Sequence, residues 1–156
     1  MRAPKKNAAA GLLVIGYGNT LRGDDGVGPK VADAVEALGL PGVRTLSCPL
    51  LTPELAEPIA RAGSVVFVDA AVDTPLEVRC RKLEPAASSQ VVAHTPGPAT
   101  LLALARDVYG HAPEAWLLTI PVTEMGVGEA LSALAQRGFT LALDEIRKRA
   151  PGHTGP

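Results

Sequence analysis

The sequence predicts a three-layer α/β/α domain with a largely parallel, five-stranded central sheet flanked by about four helices. Three observations predict it. Apolar, β-branched runs alternate with segments of helical period along most of the chain. The run at 64–68, Ser-Val-Val-Phe-Val, has no polar alternation, as in a strand covered on both faces. The run at 12–15, Leu-Leu-Val-Ile, empties into a glycine-rich loop and then a helical pattern, the signature of a βα unit.

Each element has its own signal. After the first strand, a helix starts near Gly28 with Pro29 in its first turn, carries Val27, Val31, Val35 and Leu38 on one face, and stops at Gly39. A second strand spans 43–48. Thr52-Pro53-Glu54 reads as a helix start with a hydroxyl cap, and Pro58 is expected to bend or shorten that helix. The third strand, 64–68, ends in Asp69. Leu76, Val78 and Cys80 alternate with Glu77, Arg79 and Arg81, as on a half-exposed edge strand. A loop is expected at 85–90. His94-Thr95-Pro96-Gly97-Pro98 leads into a third helix with Leu101, Leu102, Ala105 and Val108 on one side. A fifth strand spans 115–120, and a last helix runs from about Glu129 to Lys148, with Arg147, Lys148 and Arg149 at its negative end and Pro151 as its stop. Residues 11–150 are read as one domain, 1–10 as a loose basic arm and 151–156 as a disordered tail.

Composition narrows the function classes. The 156 residues carry a formal net charge of −1 and only 3% aromatics, which argues against capture by nucleic acid or an anionic membrane and against base stacking. No apolar stretch approaches the ~20 residues of a membrane span, so a cytoplasmic monomer is expected. Cys48 and Cys80 form no C-x-x-C pair and read as reduced thiols in or near the core. The Gly16-x-Gly18 pair lacks the third glycine of a dinucleotide fingerprint, since position 21 is Leu21, and no acidic residue ends the second strand. There is no phosphate-binding G-x-x-x-x-G-K-[ST], no G-x-S-x-G and no H-E-x-x-H.

What remains is a constellation. Asp25 lies in the loop after strand one, Asp69 ends strand three, and His94 precedes helix three. In a parallel sheet these places share one edge, where open α/β sheets bind ligands. Two carboxylates and an imidazole suit Ni(II), Zn(II) or Fe(II), with coordination positions left open. Each residue also has a plainer role available: Asp24 or Asp25 capping the helix near Gly28, Asp69 binding loop amides, His94 facing solvent. Asp73, His111 and His153 read as solvated surface groups.

These residues resemble the hydrogenase maturation proteases, the endopeptidases that finish the large subunit of nickel-iron hydrogenases. The resemblance rests on Gly16-x-Gly18-Asn19-x-Leu21-x-x-Asp24-Asp25-Gly26-x-Gly28, then Phe67-Val68-Asp69-Ala70, then His94-x-x-Gly97 before a Leu-rich helix, and spans about 12–149. It implies a phosphorylase/hydrolase-like fold. It also implies that Asp25, Asp69 and His94 are the metal-binding and catalytic triad, with Asp24 as the neighbouring carboxylate. The implied reaction removes the C-terminal extension of the large-subunit precursor after nickel insertion. The nickel is supplied by the substrate, and no organic cofactor is implied. A nickel-dependent binding or quality-control module without proteolysis is the alternative on the same fold. The chain departs from the family pattern at Ser47-Cys48-Pro49, where a Gly-Gly-Thr-like turn is common, and at Pro98, where leucine is common.

Overall fold

The computed structural model describes residues 11–72, 76–89, 96–123, 128 and 130–152. The expected arm, most of the expected tail, Asp73, His94 and His153 lie outside the described residues. Strands β1 (Leu12–Tyr17), β2 (Val43–Cys48), β3 (Ser64–Ala71), β4 (Arg79–Leu83) and β5 (Glu114–Pro121) form one sheet in the order β2-β1-β3-β5-β4. The β1–β2, β1–β3 and β3–β5 pairs are parallel, and β4 runs antiparallel along the edge of β5. Among the described residues there are four α-helices: α1 (Val27–Leu38), α2 (Ala56–Arg61), α3 (Pro98–Tyr109) and α4 (Ala133–Arg149).

Strand alternation builds the three layers. Leu12, Val14, Val66, Val68, Leu118 and Ile120 face one way and pack with Val27, Val31 and Val35 of α1 and Ala135, Ala142 and Ile146 of α4. Leu13, Ile15, Val65, Phe67 and Ala115 face the other way, against Ala56 and Ile59 of α2 and Leu101, Leu102 and Ala105 of α3. Burying each such Leu, Ile, Val or Phe contributes about 1.5–3 kcal/mol. The sheet therefore has a core on both faces, which is why β1 and β3 read as unbroken apolar runs. No described helix is long and apolar enough to cross a membrane.

Several boundaries differ from the sequence reading, each for a physical reason. Strand β3 does not end at Asp69. It continues to Ala71 because β5 keeps pairing with it, Asp69 opposite Thr119 and Ala71 opposite Pro121. On the other side, the β1 ladder stops at Gly16 opposite Val68, which frees the Asp69 edge toward the β1 loop. Helix α4 begins at Ala133, not near Glu129, because Ser132 serves as its cap and accepts a bond from the Ala135 amide at 3.1 Å. The Thr52 hydroxyl caps nothing. A 3-10 turn, Pro53–Leu55, precedes a six-residue α2 instead. Pro58 has no amide to offer the Glu54 carbonyl, so the α-helical ladder cannot extend across that turn. Val108 and Leu38 do not join the core; both lie in the final turn of their helices and are 61% and 38% exposed. Gly39 does stop α1, in the left-handed conformation at φ 62°.

The topology places the crevice. From β1 the chain steps to β2 on one side, and β3 lies on the other. That reversal opens a gap at the carboxyl ends of β1 and β3.

Candidate functional site

The loop after β1 is built from its own backbone. The side chain of Asn19 accepts a bond from the Leu21 amide at 2.9 Å, an Asx turn. The Arg22 amide donates to the Asn19 carbonyl at 3.1 Å, and Asp25 donates back to Arg22 at 3.1 Å. A 3-10 turn, Gly23–Gly26, then feeds directly into α1. Gly18, at φ 144°, lets the Asp25 carbonyl approach its Cα; any side chain there would overlap that oxygen.

The two aspartates of the turn do different things. Asp24 is fully buried. Its carboxylate accepts the Thr123 amide at 2.9 Å, the Ser132 amide at 2.7 Å and the Ser132 hydroxyl at 2.6 Å. It thus fastens the glycine loop to the end of β5 and the start of α4. The backbone of Gly128 adds a second clasp, accepting from Gly23 at 2.7 Å and donating to Leu21 at 2.9 Å. Neither aspartate caps α1, whose cap residue is Gly26 with no side-chain bond. That capping role is therefore set aside.

Asp25 turns the other way. Its Oδ2 accepts the Asn19 amide at 2.8 Å, and the residue lines a cleft of about 420 Å³. The same cleft is lined by Tyr17 and Gly18, residues 49–51 after β2, Asp69 of β3 and residues 96–98 at the start of α3. The structure thus brings Asp25 and Asp69 together, at the switch point of the sheet. His94 lies outside the described residues; the chain that follows it, from Pro96 on, forms one wall of the cleft. Among the described residues no three His, Cys, Asp or Glu side chains gather closely enough to hold a metal ion.

One further site residue comes from the structure, and one departure from the family pattern finds its explanation there. Tyr17 extends β1 by alternation beyond Leu13 and Ile15, and its hydroxyl donates to the Asp69 carboxylate. The period-2 pattern 13, 15, 17 was its available signal, masked by its place between two glycines. Pro98 is the first helical residue of α3, with Gly97 before it. There its missing amide costs nothing and its fixed φ suits the helix, which accounts for the departure from leucine.

Electrostatics separate the groups. Burial chiefly, and the Asp25 charge in addition, push the Asp69 carboxyl above its ordinary range, against hydrogen bonds from Tyr17 and the Ala70 backbone. Burial, then the Asp69 charge, raise the Tyr17 phenol well above its usual value, so it stays protonated and remains a donor. Burial also raises the Cys48 thiol, which is half-buried and free. A thiol so shifted is a poor nucleophile at neutral pH. His111 is exposed, as expected.

The Asp69 shift has a consequence for stability. A carboxyl whose folded pKa exceeds its unfolded one favours the fold when protonated; that contribution is complete below the unfolded value and is lost as pH rises through the folded one. Asp69→Asn stays neutral throughout. It is expected to raise the melting temperature at pH 7, with the gain disappearing as the pH falls toward about 4. Thermal melts of both proteins across that range check it, and an equal gain at both ends would refute the linkage.

No family model matches the chain, and no curated protein does. Solved structures do. The hydrogenase maturating endopeptidase HybD from E. coli shares 22% identity over 87% of this chain and 89% of its own, with a TM-score of 0.70. The [NiFe] hydrogenase maturation protease HycI from Thermococcus kodakarensis KOD1 shares 22% over 90% and 92%, with a TM-score of 0.70. The hydrogenase 2 maturation peptidase from Thaumarchaeota archaeon SCGC_AB-539-E09 shares 22% over 88% and 96%, with a TM-score of 0.64. The chain has the fold of these maturation peptidases over nearly its whole described length.

Proposed function

We propose that this chain is an endopeptidase that removes the C-terminal extension of a nickel-iron hydrogenase large-subunit precursor once nickel has been inserted. The observation that carries the reading is the meeting of Asp25 and Asp69 in one cleft at the switch point of the sheet. The maturation-peptidase fold supports it. His94 is the third proposed ligand, two residues before a wall of that cleft.

The chemistry is that of a partial coordination shell. Two carboxylate oxygens and an imidazole nitrogen leave positions open, so they can grip a nickel ion still held by the precursor's thiolates. The ion is part of the substrate, and the contact reports that the precursor is loaded. A polypeptide partner also suits the rim. Leu21, Leu50 and Val72, which follow β1, β2 and β3 at the same edge, are 62%, 46% and 50% exposed. Exposed apolar side chains around a cleft are common where another chain docks. The neutral composition and the cytoplasmic setting proposed here fit a folding-pathway enzyme with a protein substrate.

The test mixes the purified chain with nickel-loaded and nickel-free precursor and weighs the products. A defined C-terminal loss from the loaded precursor alone is expected. A nickel-dependent complex with unchanged mass would instead establish a binding or quality-control module, and equal cutting of both precursors would remove nickel recognition from the account.

A further inference from the structure

We propose that Tyr17 is a positioning residue for Asp69: its hydroxyl, delivered from the neighbouring strand, engages the carboxylate and holds it in the orientation that faces the cleft. The inference rests on the reading of Asp69 as a contact to the substrate's nickel. Nothing in the resemblance assigns a role to the residue between the two glycines.

The placement is a consequence of the sheet. Strands β1 and β3 are parallel and in register through Gly16 opposite Val68. The next position on each is Tyr17 and Asp69, and alternation puts both on the face of Leu13, Ile15, Val65 and Phe67. Tyr17 packs into that core through its ring while its hydroxyl reaches the carboxylate. Both residues line the cleft. The Ala70 amide is a second donor to Asp69. The carboxylate is thus held by two donors from its own sheet.

Such an outer contact matters more than its single hydrogen bond suggests. Carboxylates that contact metals are oriented by hydrogen-bond partners, and losing one typically costs about 10–100-fold in metal affinity or activity. Tyr17→Phe keeps the ring in the core and removes only the donor, so the packing is retained.

The test compares wild type, Tyr17→Phe and Asp69→Asn by three measurements: cleavage of nickel-loaded precursor, titration with free Ni2+, and thermal melting. Tyr17→Phe is expected to lower kcat/KM by about 10–100-fold and weaken Ni2+ binding by a similar factor, with its melting temperature within about 4 °C of wild type. A role in packing alone would leave cleavage, Ni2+ affinity and the melting temperature all close to wild type, because phenylalanine keeps the ring in place. Cleavage and Ni2+ binding within twofold of wild type would overturn the proposal while leaving the protease reading standing. If the wild type cuts no precursor, the Ni2+ titration decides Tyr17 by itself: weaker binding in Tyr17→Phe sustains the role, and equal binding refutes it. Ni2+ binding unchanged in Asp69→Asn, or absent from the wild type, would remove the ligand and its positioning residue together.

Discussion

Asp25→Ala is expected to abolish cleavage of nickel-loaded precursor, with at least a thousandfold loss and a melting temperature within about 4 °C of wild type. Asp24→Ala, one residue away, is expected to act first on stability. The reason lies in what each carboxylate touches. Asp25 accepts the Asn19 amide within its own loop and otherwise faces the cleft. Removing it deletes one local bond and a proposed contact to the substrate's metal, whose charge stabilisation is worth several kcal/mol, or about 10³-fold in rate at ~4 kcal/mol. Asp24 is buried and accepts three bonds from Thr123 and Ser132. Its loss strands those donors and unties the glycine loop from α4. At about 1–3 kcal/mol per orphaned buried donor, partly relieved by relaxation, about 3–4 kcal/mol is expected, or about 6–16 °C in melting temperature. Calorimetry and a mass-based cleavage assay on both variants separate the two. Normal cleavage by Asp25→Ala would end the nickel-contact reading, and a wild-type melting curve for Asp24→Ala would show that the anchor carries little.

Gly28→Ala is expected to be strongly damaging for a single added methyl group. A Cβ there would stand 2.5 Å from the Val68 carbonyl oxygen and 2.6 Å from that of Tyr17, both backbone atoms of the central strands. Neither can swing aside as a side chain would. The first turn of α1 must lift off the carboxyl ends of β1 and β3, opening the core around Val27 and Val31. Overpacking of this kind costs about 1–3 kcal/mol and occasionally more, which is about 2–12 °C here. Activity is expected to fall further than stability, because the shift carries the glycine loop and Asp25 with it. A displacement near 1 Å at a reacting site costs on the order of 10²-fold. Gly97→Ala is the control. Its Cβ would meet nothing within 4 Å, and replacing glycine at that cap position is expected to move the melting temperature by about 2 °C or less. Equal melting temperatures for Gly28→Ala and Gly97→Ala would disprove the close-packing argument.

The parts of the fold that were legible in the sequence are those with local causes. The strand at Val65, Val66 and Phe67 announces burial on both faces by lacking polar alternation. Gly39 and Pro29 punctuate α1 through backbone preferences that need no neighbour. The glycines of the first loop mark close approach, and the structure shows what approaches: the Gly28 carbonyl over Gly16, and the Asp25 carbonyl over Gly18. Where a neighbour decides, the sequence reading misplaced the element. Asp69 reads as a strand end because a charge follows an apolar run, yet β5 carries that strand two residues further. The last helix reads from Glu129 because nothing local forbids it, yet Ser132 and the carboxylate of Asp24 set its start.

By itself, the sequence determined the α/β class, the parallel core strands, the glycine loop and the candidate pair Asp25 and Asp69, because apolar period, capping and glycine content act over a few residues. Only the tertiary structure decided which of Asp24 and Asp25 faces the cleft. Both sit in one 3-10 turn, where successive side chains diverge by about 120°, so one must face inward and the other the cleft. Which does so depends on donors from Thr123 and Ser132, about a hundred residues away along the chain. Tyr17 beside Asp69 was likewise invisible until strand register joined them. Register and long-range hydrogen bonds link residues distant in sequence, and no local pattern encodes them.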